Sequence, residues 1–285
     1  MVRTFQSLKL SPNEQKQPIG PSQLEIVEGR VPRGDSRSAK GMVEKFAAQR
    51  IAVLFAIGSN LARVARDSAP TLPIVFLTPG DPVAAGLVAS LAQPGRNMTA
   101  LTFEYPELSA KRLELLRDLA LGLRRVLVLY DPRDASPRQG VEAARAAARS
   151  LGFVLTEVEV RDRRDISEGL KKLDDVDALL GVPGGITAGH YEAMIRAANS
   201  KRRATIVFTH SPSTRDALLS YGASDIEVAR QAGRALAKVV QGANAGALPV
   251  ERPTKLTLVI NLTTAKQLGI TIPAALALRA DHLIE

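Results

Sequence analysis

The residues best suited to chemistry in this sequence are small polar side chains that directly follow short apolar runs. Gly58, Ser59 and Asn60 follow the run 51–56, while Thr78 and Asp81 follow the run 74–77. Each run predicts a buried strand, and the polar residues after it predict a turn that leads into a helix. Backbone N–H groups at a helix start, together with the Ser59 hydroxyl, could hold a carboxylate, and Asp81 could hold an ammonium group.

The alternative for these residues is helix capping. Ser59 or Asn60 could cap the helix that follows, without excluding a role in binding. Asp81 precedes Pro82, and proline is favoured at the first helical position, so capping is the preferred interpretation of Asp81. Thr78 is then the better candidate for ligand contact.

A second group of candidates follows later apolar runs. Gly184 and Gly185 permit close backbone approach and positive φ, although a structural turn needs the same freedom. Tyr130 could stack on a flat ligand or end its strand as a half-buried aromatic. The group comprises Tyr130, Asp131, Pro183, Gly184, Ser211 and Tyr221, the last also a hinge candidate.

Catalytic and metal-binding patterns are missing from the sequence. Zero cysteines exclude thiolate chemistry, and the 3 histidines lack metal-ligand spacing. We find no GxSxG elbow, Walker A loop or GxGxxG fingerprint. We therefore predict no catalytic residue, no metal and no cofactor, and we expect a protein that is not an enzyme.

The composition describes a globular chain with a basic surface. The formal net charge is +9 over 285 residues, but the basic residues are dispersed and only 4% of residues are aromatic, so binding to nucleic acid by base stacking is not expected. No apolar run has the length of about 18 residues that a membrane-spanning helix needs. The N-terminal residues as written lack the apolar segment of a signal peptide.

Predicted strands and helices alternate along most of the chain, at the spacing of about 30 residues typical of βαβ units. This indicates an α/β fold with two parallel sheets, one before residue 104 and one after it. Residues 1–23 are predicted to be poorly structured because prolines and glycine interrupt them. Segment 82–91 is predicted to be helical, and Ser109 is predicted to cap a helix that ends at residue 121.

Several motifs together resemble a known family. They are Gly80-Asp81-Pro82-Val83, Leu258-Val259-Ile260-Asn261-Leu262, Thr264-Ala265-Lys266 and Leu268-Gly269-Ile270-Thr271-Ile272-Pro273. In this order and spacing they resemble the ABC-transporter substrate-binding proteins of the periplasmic-binding-protein type I fold, in the branch of tryptophan and tyrosine binders. The resemblance extends over roughly residues 24–285.

The resemblance implies two doubly wound parallel-sheet lobes joined by a hinge, with residues 1–104 and 220–246 in lobe one and 105–219 and 247–285 in lobe two. It further implies a small ligand, an amino acid or aromatic carboxylate, in the cleft between the lobes. The partner would be a membrane permease, the location the periplasm, and we expect a monomer.

The start of the chain departs from the family pattern. Residues 24–27 resemble the family's second strand, so either the true start lies upstream or lobe one lacks its first strand. The alternatives to a transport role are a ligand-sensing protein that is not exported and, less favoured, an enzyme on a Rossmann-like fold.

Overall fold

The structure is a computed structural model, and it describes residues 2–10, 24–32, 35–120 and 122–285. Two compact units are present: Met1–Phe103 with Ile226–Pro253, and Glu104–Asp225 with Thr254–Glu285. Residues 220–225 therefore belong to the second unit and 247–253 to the first, the reverse of the lobes that the resemblance implies, and Glu104 likewise falls in the second unit. Strand pairing explains both, since Leu219–Ala223 pairs within the second sheet and Glu251 bridges Leu101 in the first unit.

The elements follow one another in βαβ fashion. The strands are β1 (Val2–Leu10), β2 (Leu24–Pro32), β3 (Val53–Ile57), β4 (Ile74–Pro79), β5 (Met98–Glu104), β6 (Arg125–Tyr130), β7 (Val154–Glu159), β8 (Ala178–Leu180), β9 (Ala204–Val207), β10 (Leu219–Ala223), β11 (Leu256–Asn261) and β12 (His282–Ile284). The α-helices are α1 (Ser36–Ala48), α2 (Ser59–Ser68), α3 (Pro106–Leu119), α4 (Ala135–Leu151), α5 (Arg163–Leu170), α6 (Gly185–Ala188), α7 (Tyr191–Ser200), α8 (Asp225–Val240), α9 (Leu262–Leu268) and α10 (Ala274–Ala277).

The first unit is built on a sheet of order β2-β1-β3-β4-β5. Side chains alternate between its two faces, as strand geometry requires. Leu54 and Phe76 pack into the apolar cluster of α1 and α2, whereas Phe55 and Val75 pack into the cluster of α8. This sheet, covered on both faces, places the carboxyl ends of β3 and β4 side by side because the two strands are parallel.

The second unit is built on a sheet of order β12-β11-β10-β9-β8-β6-β7. Strands β10, β9, β8, β6 and β7 run parallel to one another, whereas β11 is antiparallel to β10. Val126 and Val128 face one apolar cluster, while Leu127 and Leu129 face the other. The predicted α/β class with doubly wound sheets is confirmed.

The N-terminal segment differs from the prediction. Residues 2–10 form β1, which pairs antiparallel with β2 and with β3, so the expectation of a poorly structured start is wrong there. The prolines and the glycine on which that expectation was based begin only at Pro12, after this strand has ended. Strands on both sides satisfy the backbone groups of β1. Residues 11–23 lie outside the described residues.

The predicted helix at 82–91 is also wrong. Asp81 Oδ1 accepts hydrogen bonds from the N–H groups of Val83 (2.8 Å) and Ala84 (3.2 Å), which starts a single turn. Gly86 then adopts a φ of 66°, and the Leu87 N–H donates to the Pro82 carbonyl at 2.9 Å. This left-handed glycine and its hydrogen bond form a Schellman motif, which ends the turn at once.

Ser109 does not cap α3. The helix begins at Pro106 with Tyr105 as its N-cap, and Ser109 is buried inside it. Proline at the first helical position was the signal for the true start. Among the described residues, no helix combines the length and apolar character that crossing a bilayer requires.

Candidate functional site

In the first unit the candidate site lies at the adjacent carboxyl ends of β3 and β4. The strands are in register with Ile57 opposite Leu77, and the Gly58 N–H donates to the Leu77 carbonyl at 2.7 Å. Gly58 has a φ of 104°, a conformation that favours glycine, and it turns the chain directly from β3 into α2. The start of α2 is thereby fixed to the end of β4.

Two hydroxyl groups join these strand ends. Ser59 Oγ lies 2.6 Å from Thr78 Oγ1, and Thr78 Oγ1 donates to the Pro79 carbonyl at 2.9 Å. Since a hydroxyl has one proton, Thr78 spends its own on Pro79 and Ser59 donates to Thr78. Both residues are buried, with 5% and 1% of their surface exposed. The pair therefore stiffens the edge from which α2 begins.

These contacts decide between the alternatives for this group. The N-cap of α2 is Gly58, so neither Ser59 nor Asn60 caps that helix. Asn60 is exposed in the first turn, where backbone N–H groups have no partner within the helix. Thr78 is 1% exposed, and its hydroxyl is engaged by Ser59 and the Pro79 carbonyl. Asp81 caps the turn that follows β4, which agrees with the predicted capping role.

In the second unit the parallel strands β6, β8, β9 and β10 bring their carboxyl ends to one edge of the sheet. All of the later candidates lie on this edge or on the loops that leave it: Tyr130, Asp131, Pro183, Gly184, Ser211 and Tyr221. Two cross-links tie the loops together. The Gly185 N–H donates to Asp134 Oδ2 at 3.4 Å, and Thr209 Oγ1 donates to Asp225 Oδ1 at 2.9 Å.

Tyr130 and Asp131 are both engaged within the protein. The Tyr130 ring belongs to the apolar core and is 8% exposed, so it ends its strand as a packed aromatic. Burial, and next the carboxylates of Glu157 and Glu159, raises the pKa of the Tyr130 phenol. Asp131 is gripped by the guanidinium of Arg133, at 2.9 Å from Nε and 3.0 Å from Nη2.

Gly184 serves packing and not positive φ. Its φ is −158°, an extended conformation open to any residue, and Gly185 has no positive φ either. A Cβ on Gly184 would lie 3.2 Å from the Cβ of Pro137. Pro183 is likewise buried, whereas Ser211 and Tyr221 are half-exposed. Ser211 Oγ lies 3.1 Å from both Ser213 Oγ and Thr214 Oγ1, in a small cluster of hydroxyls.

Sequence reasoning missed a buried charged cluster beneath this edge. Arg112 of α3 is 0% exposed, and its guanidinium donates to both carboxylate oxygens of Glu104, at 2.5 and 2.7 Å. Its Nε also donates to the Tyr221 carbonyl at 2.8 Å. The available signal was the position of Arg112 in the buried stripe of α3, where Leu108, Leu115 and Leu119 are its neighbours.

Within the described part of the chain, no group of three or more His, Asp or Glu side chains could hold a metal ion. His210 is exposed, and His190, the N-cap of α7, has its Nδ1 2.9 Å from the carbonyl of Ile186 in α6. What the two edges offer is hydroxyls, helix-start amides and backbone, the chemistry of ligand binding.

Comparison with known proteins agrees with this description. The chain is 23% identical over 239 residues to a tyrosine-binding protein of Clostridioides difficile (strain R20291), covering 84% of this chain and 69% of that one. It is 29% identical, with a TM-score of 0.80, to the structure of a conserved domain protein from Vibrio cholerae, covering 88% of this chain and 84% of that one.

A second solved structure has the same fold. It is an ABC domain from Streptococcus pneumonia in complex with L-Trp, 22% identical with a TM-score of 0.80, covering 88% of this chain and 87% of that one. A profile of the family described as "ABC transporter substrate binding protein" matches residues 17–284. This match takes in nearly the whole described chain, and the protein therefore belongs to the ABC transporter substrate-binding protein family.

Proposed function

We propose that the protein is the solute-binding component of an ABC transporter and that its ligand is an aromatic amino acid or a related aromatic carboxylate. The observation that carries the proposal is the edge formed by β3, β4 and α2 in a chain of this family. Exposed Asn60 and the amides of the first turn of α2 suit a carboxylate, because helix N-termini favour anions. The relatives described as tyrosine-binding and as bound to L-Trp support the aromatic class.

In this proposal the ligand takes contacts from the strand ends of both units. The first unit supplies Gly58, Ser59 and Asn60, and the second supplies Ser211 and Tyr221, whose side chains are half-exposed. Thr78, Asp81, Tyr130, Asp131, Pro183 and Gly184 shape and support these loops. Ligand binding selects a closed arrangement by its differential affinity for that state. The loaded protein then delivers the ligand to a membrane permease outside the cytoplasm.

A thermal-shift panel tests this function. L-Trp, L-Tyr and L-Phe are compared with glycine and L-Lys, and a ligand present at about 100 Kd adds about 2.7 kcal/mol of stability. We expect an aromatic amino acid to raise the melting temperature and the other two to leave it unchanged. A protein that melts identically in every amino acid, or that responds only to L-Lys, would contradict the proposal.

A pair of serine variants localises the site. Ser59→Ala removes the donor to Thr78, which costs about 1 kcal/mol of apo stability and weakens the ligand-induced shift. The matched control is Ser150→Ala, because the exposed Ser150 hydroxyl bonds only to its own helix, at the Ala147 carbonyl. If both variants keep the full ligand-induced shift, the ligand does not use the edge at Ser59.

A further inference from the structure

The buried ion pair of Arg112 and Glu104 lies in the second unit, and the proposed function does not use it. A buried ion pair is weak grounds for stability, because removing two charges from water offsets most of their attraction. Arg112 is nevertheless among the largest fully buried side chains of the described residues. We therefore ask which parts of the chain the buried Arg112 side chain holds in place.

The guanidinium of Arg112 joins three segments by directional bonds. Two nitrogens hold the carboxylate of Glu104 at the end of β5, and the third holds the backbone carbonyl of Tyr221 in the middle of β10. A planar guanidinium offers its donors in a fixed fork, so the geometry of one partner dictates that of the other. Burial raises the pKa of Glu104, and the charge of Arg112 opposes that rise.

The backbone of β10 is also closely packed next to Tyr221. A Cβ on Gly222 would lie 1.8 Å from the Phe208 carbonyl oxygen and 3.4 Å from Arg112 Nη2. The backbone beside Tyr221 therefore packs against both the residue that follows β9 and the guanidinium. Nearby, the buried phenol of Tyr191 donates to the Val182 carbonyl at 2.5 Å, directly before Pro183 and Gly184.

We propose that Arg112 is a positioning residue for the ligand-binding edge of the second unit, acting through the carbonyl of Tyr221 and oriented by Glu104. This inference rests on the proposed function, in which Tyr221 is a ligand contact. Arg112 touches no ligand itself. Through its bond to the Tyr221 carbonyl, Arg112 fixes the backbone of β10, and the backbone fixes the position of the half-exposed Tyr221 side chain.

The test is the double variant Arg112→Met with Glu104→Leu, which removes both charges at similar volume and so leaves no unpaired ion in the core. Arg112→Lys is the second variant, because an ammonium group keeps the charge beside Glu104 but cannot form the fork. The control is Arg145→Lys, since Arg145 makes the same bidentate contact with Glu157 on the surface, at 2.9 and 2.7 Å.

Two measurements are made on each variant. Hydrogen exchange of the free protein should be faster at 219–223 in both Arg112 variants, with β6 unchanged and no change in Arg145→Lys. Affinity for L-Trp should fall by about tenfold, the equivalent of about one lost ligand hydrogen bond. A merely structural role would instead accelerate exchange throughout the second unit.

The outcomes separate this inference from the proposed function. Wild-type exchange at 219–223 in both Arg112 variants would overturn the positioning role, as would unchanged L-Trp affinity in a wild-type protein that binds. If the wild-type protein binds no aromatic amino acid, the proposed function fails, and the exchange comparison in the free protein still decides whether Arg112 positions β10.

Discussion

Replacing Gly222 with alanine should destabilise the second unit severely. The new Cβ would lie 1.8 Å from the Phe208 oxygen and 2.9 Å from its carbonyl carbon, whereas real contacts of this kind are essentially never below 3.0 Å. Backbone must move by more than an ångström, and Arg112 Nη2, 3.4 Å from the same Cβ position, leaves little room beside it. Overpacking of backbone against backbone costs about 3 kcal/mol or more.

The assay is thermal and urea unfolding of Gly222→Ala beside Gly233→Ala. Gly233 lies in α8 with no atom within 4 Å of its Cβ position, so the same substitution should stabilise the protein by about 0.5–1 kcal/mol through helix propensity. For a unit of this size, we expect Gly222→Ala to lower the melting temperature by about 10 °C. Equal melting temperatures for the two variants would refute the close approach at Gly222.

Three further substitutions test other parts of the fold. Asp281→Asn should lower the melting temperature at neutral pH, because the Leu258 N–H and Lys255 hold the pKa of Asp281 below its ordinary value. The difference from wild type should begin to shrink as the pH falls below about 4, the ordinary pKa, and should vanish once the pH is below the lowered pKa of the folded protein, where the folded carboxyl is also protonated. A difference that stays constant over this whole acid range would contradict the stabilising role of the carboxylate. Arg66→Ala removes the 2.7 Å hydrogen bond to the Gly86 carbonyl, so amide hydrogen exchange and proteolysis at 81–92 should accelerate. Equal cleavage of the variant and the wild-type protein would show that the bond does not restrain the turn. Gly86→Ala should lower the free energy of unfolding by about 1–2 kcal/mol, because Gly86 has a φ of 66°, even though there is space for a Cβ. An unchanged urea midpoint would contradict the left-handed conformation.

Much of the fold was predictable from apolar runs. The apolar runs 126–130 and 178–182 predict β6 and β8, which the structure places at Arg125–Tyr130 and Ala178–Leu180. The single face of Val228, Ala232 and Val239 predicts α8. Segment 82–91 failed because composition alone does not reveal that Gly86 adopts a left-handed conformation after one turn. Residues 2–10 failed because the partners of β1 lie on β2 and β3, and single-sequence patterns do not disclose pairing.

The location of the candidate site was more predictable than its contacts. Strand ends share an edge in any parallel sheet, so the positions of Ser59 and Thr78 followed from the fold class. The hydrogen bond between the two hydroxyls joins residues 19 apart in sequence. Its direction depends on the bond from the Thr78 hydroxyl to the Pro79 carbonyl, which only the structure reveals. The role of Arg112 could not be predicted, because its partners Glu104 and Tyr221 lie 8 and 109 residues away and only the fold brings Tyr221 to it.

Binding of an aromatic amino acid can be measured directly in this protein because of its composition. The protein contains 0 tryptophans, so the fluorescence of L-Trp can be followed against a background without protein tryptophan. Titrating L-Trp with the protein, under excitation that tyrosine does not absorb, should give a saturable rise in anisotropy at one ligand per chain, reversed by excess L-Tyr. If the anisotropy stays at the value of free L-Trp at every protein concentration, the protein does not bind L-Trp, and the proposed binding of aromatic amino acids is contradicted.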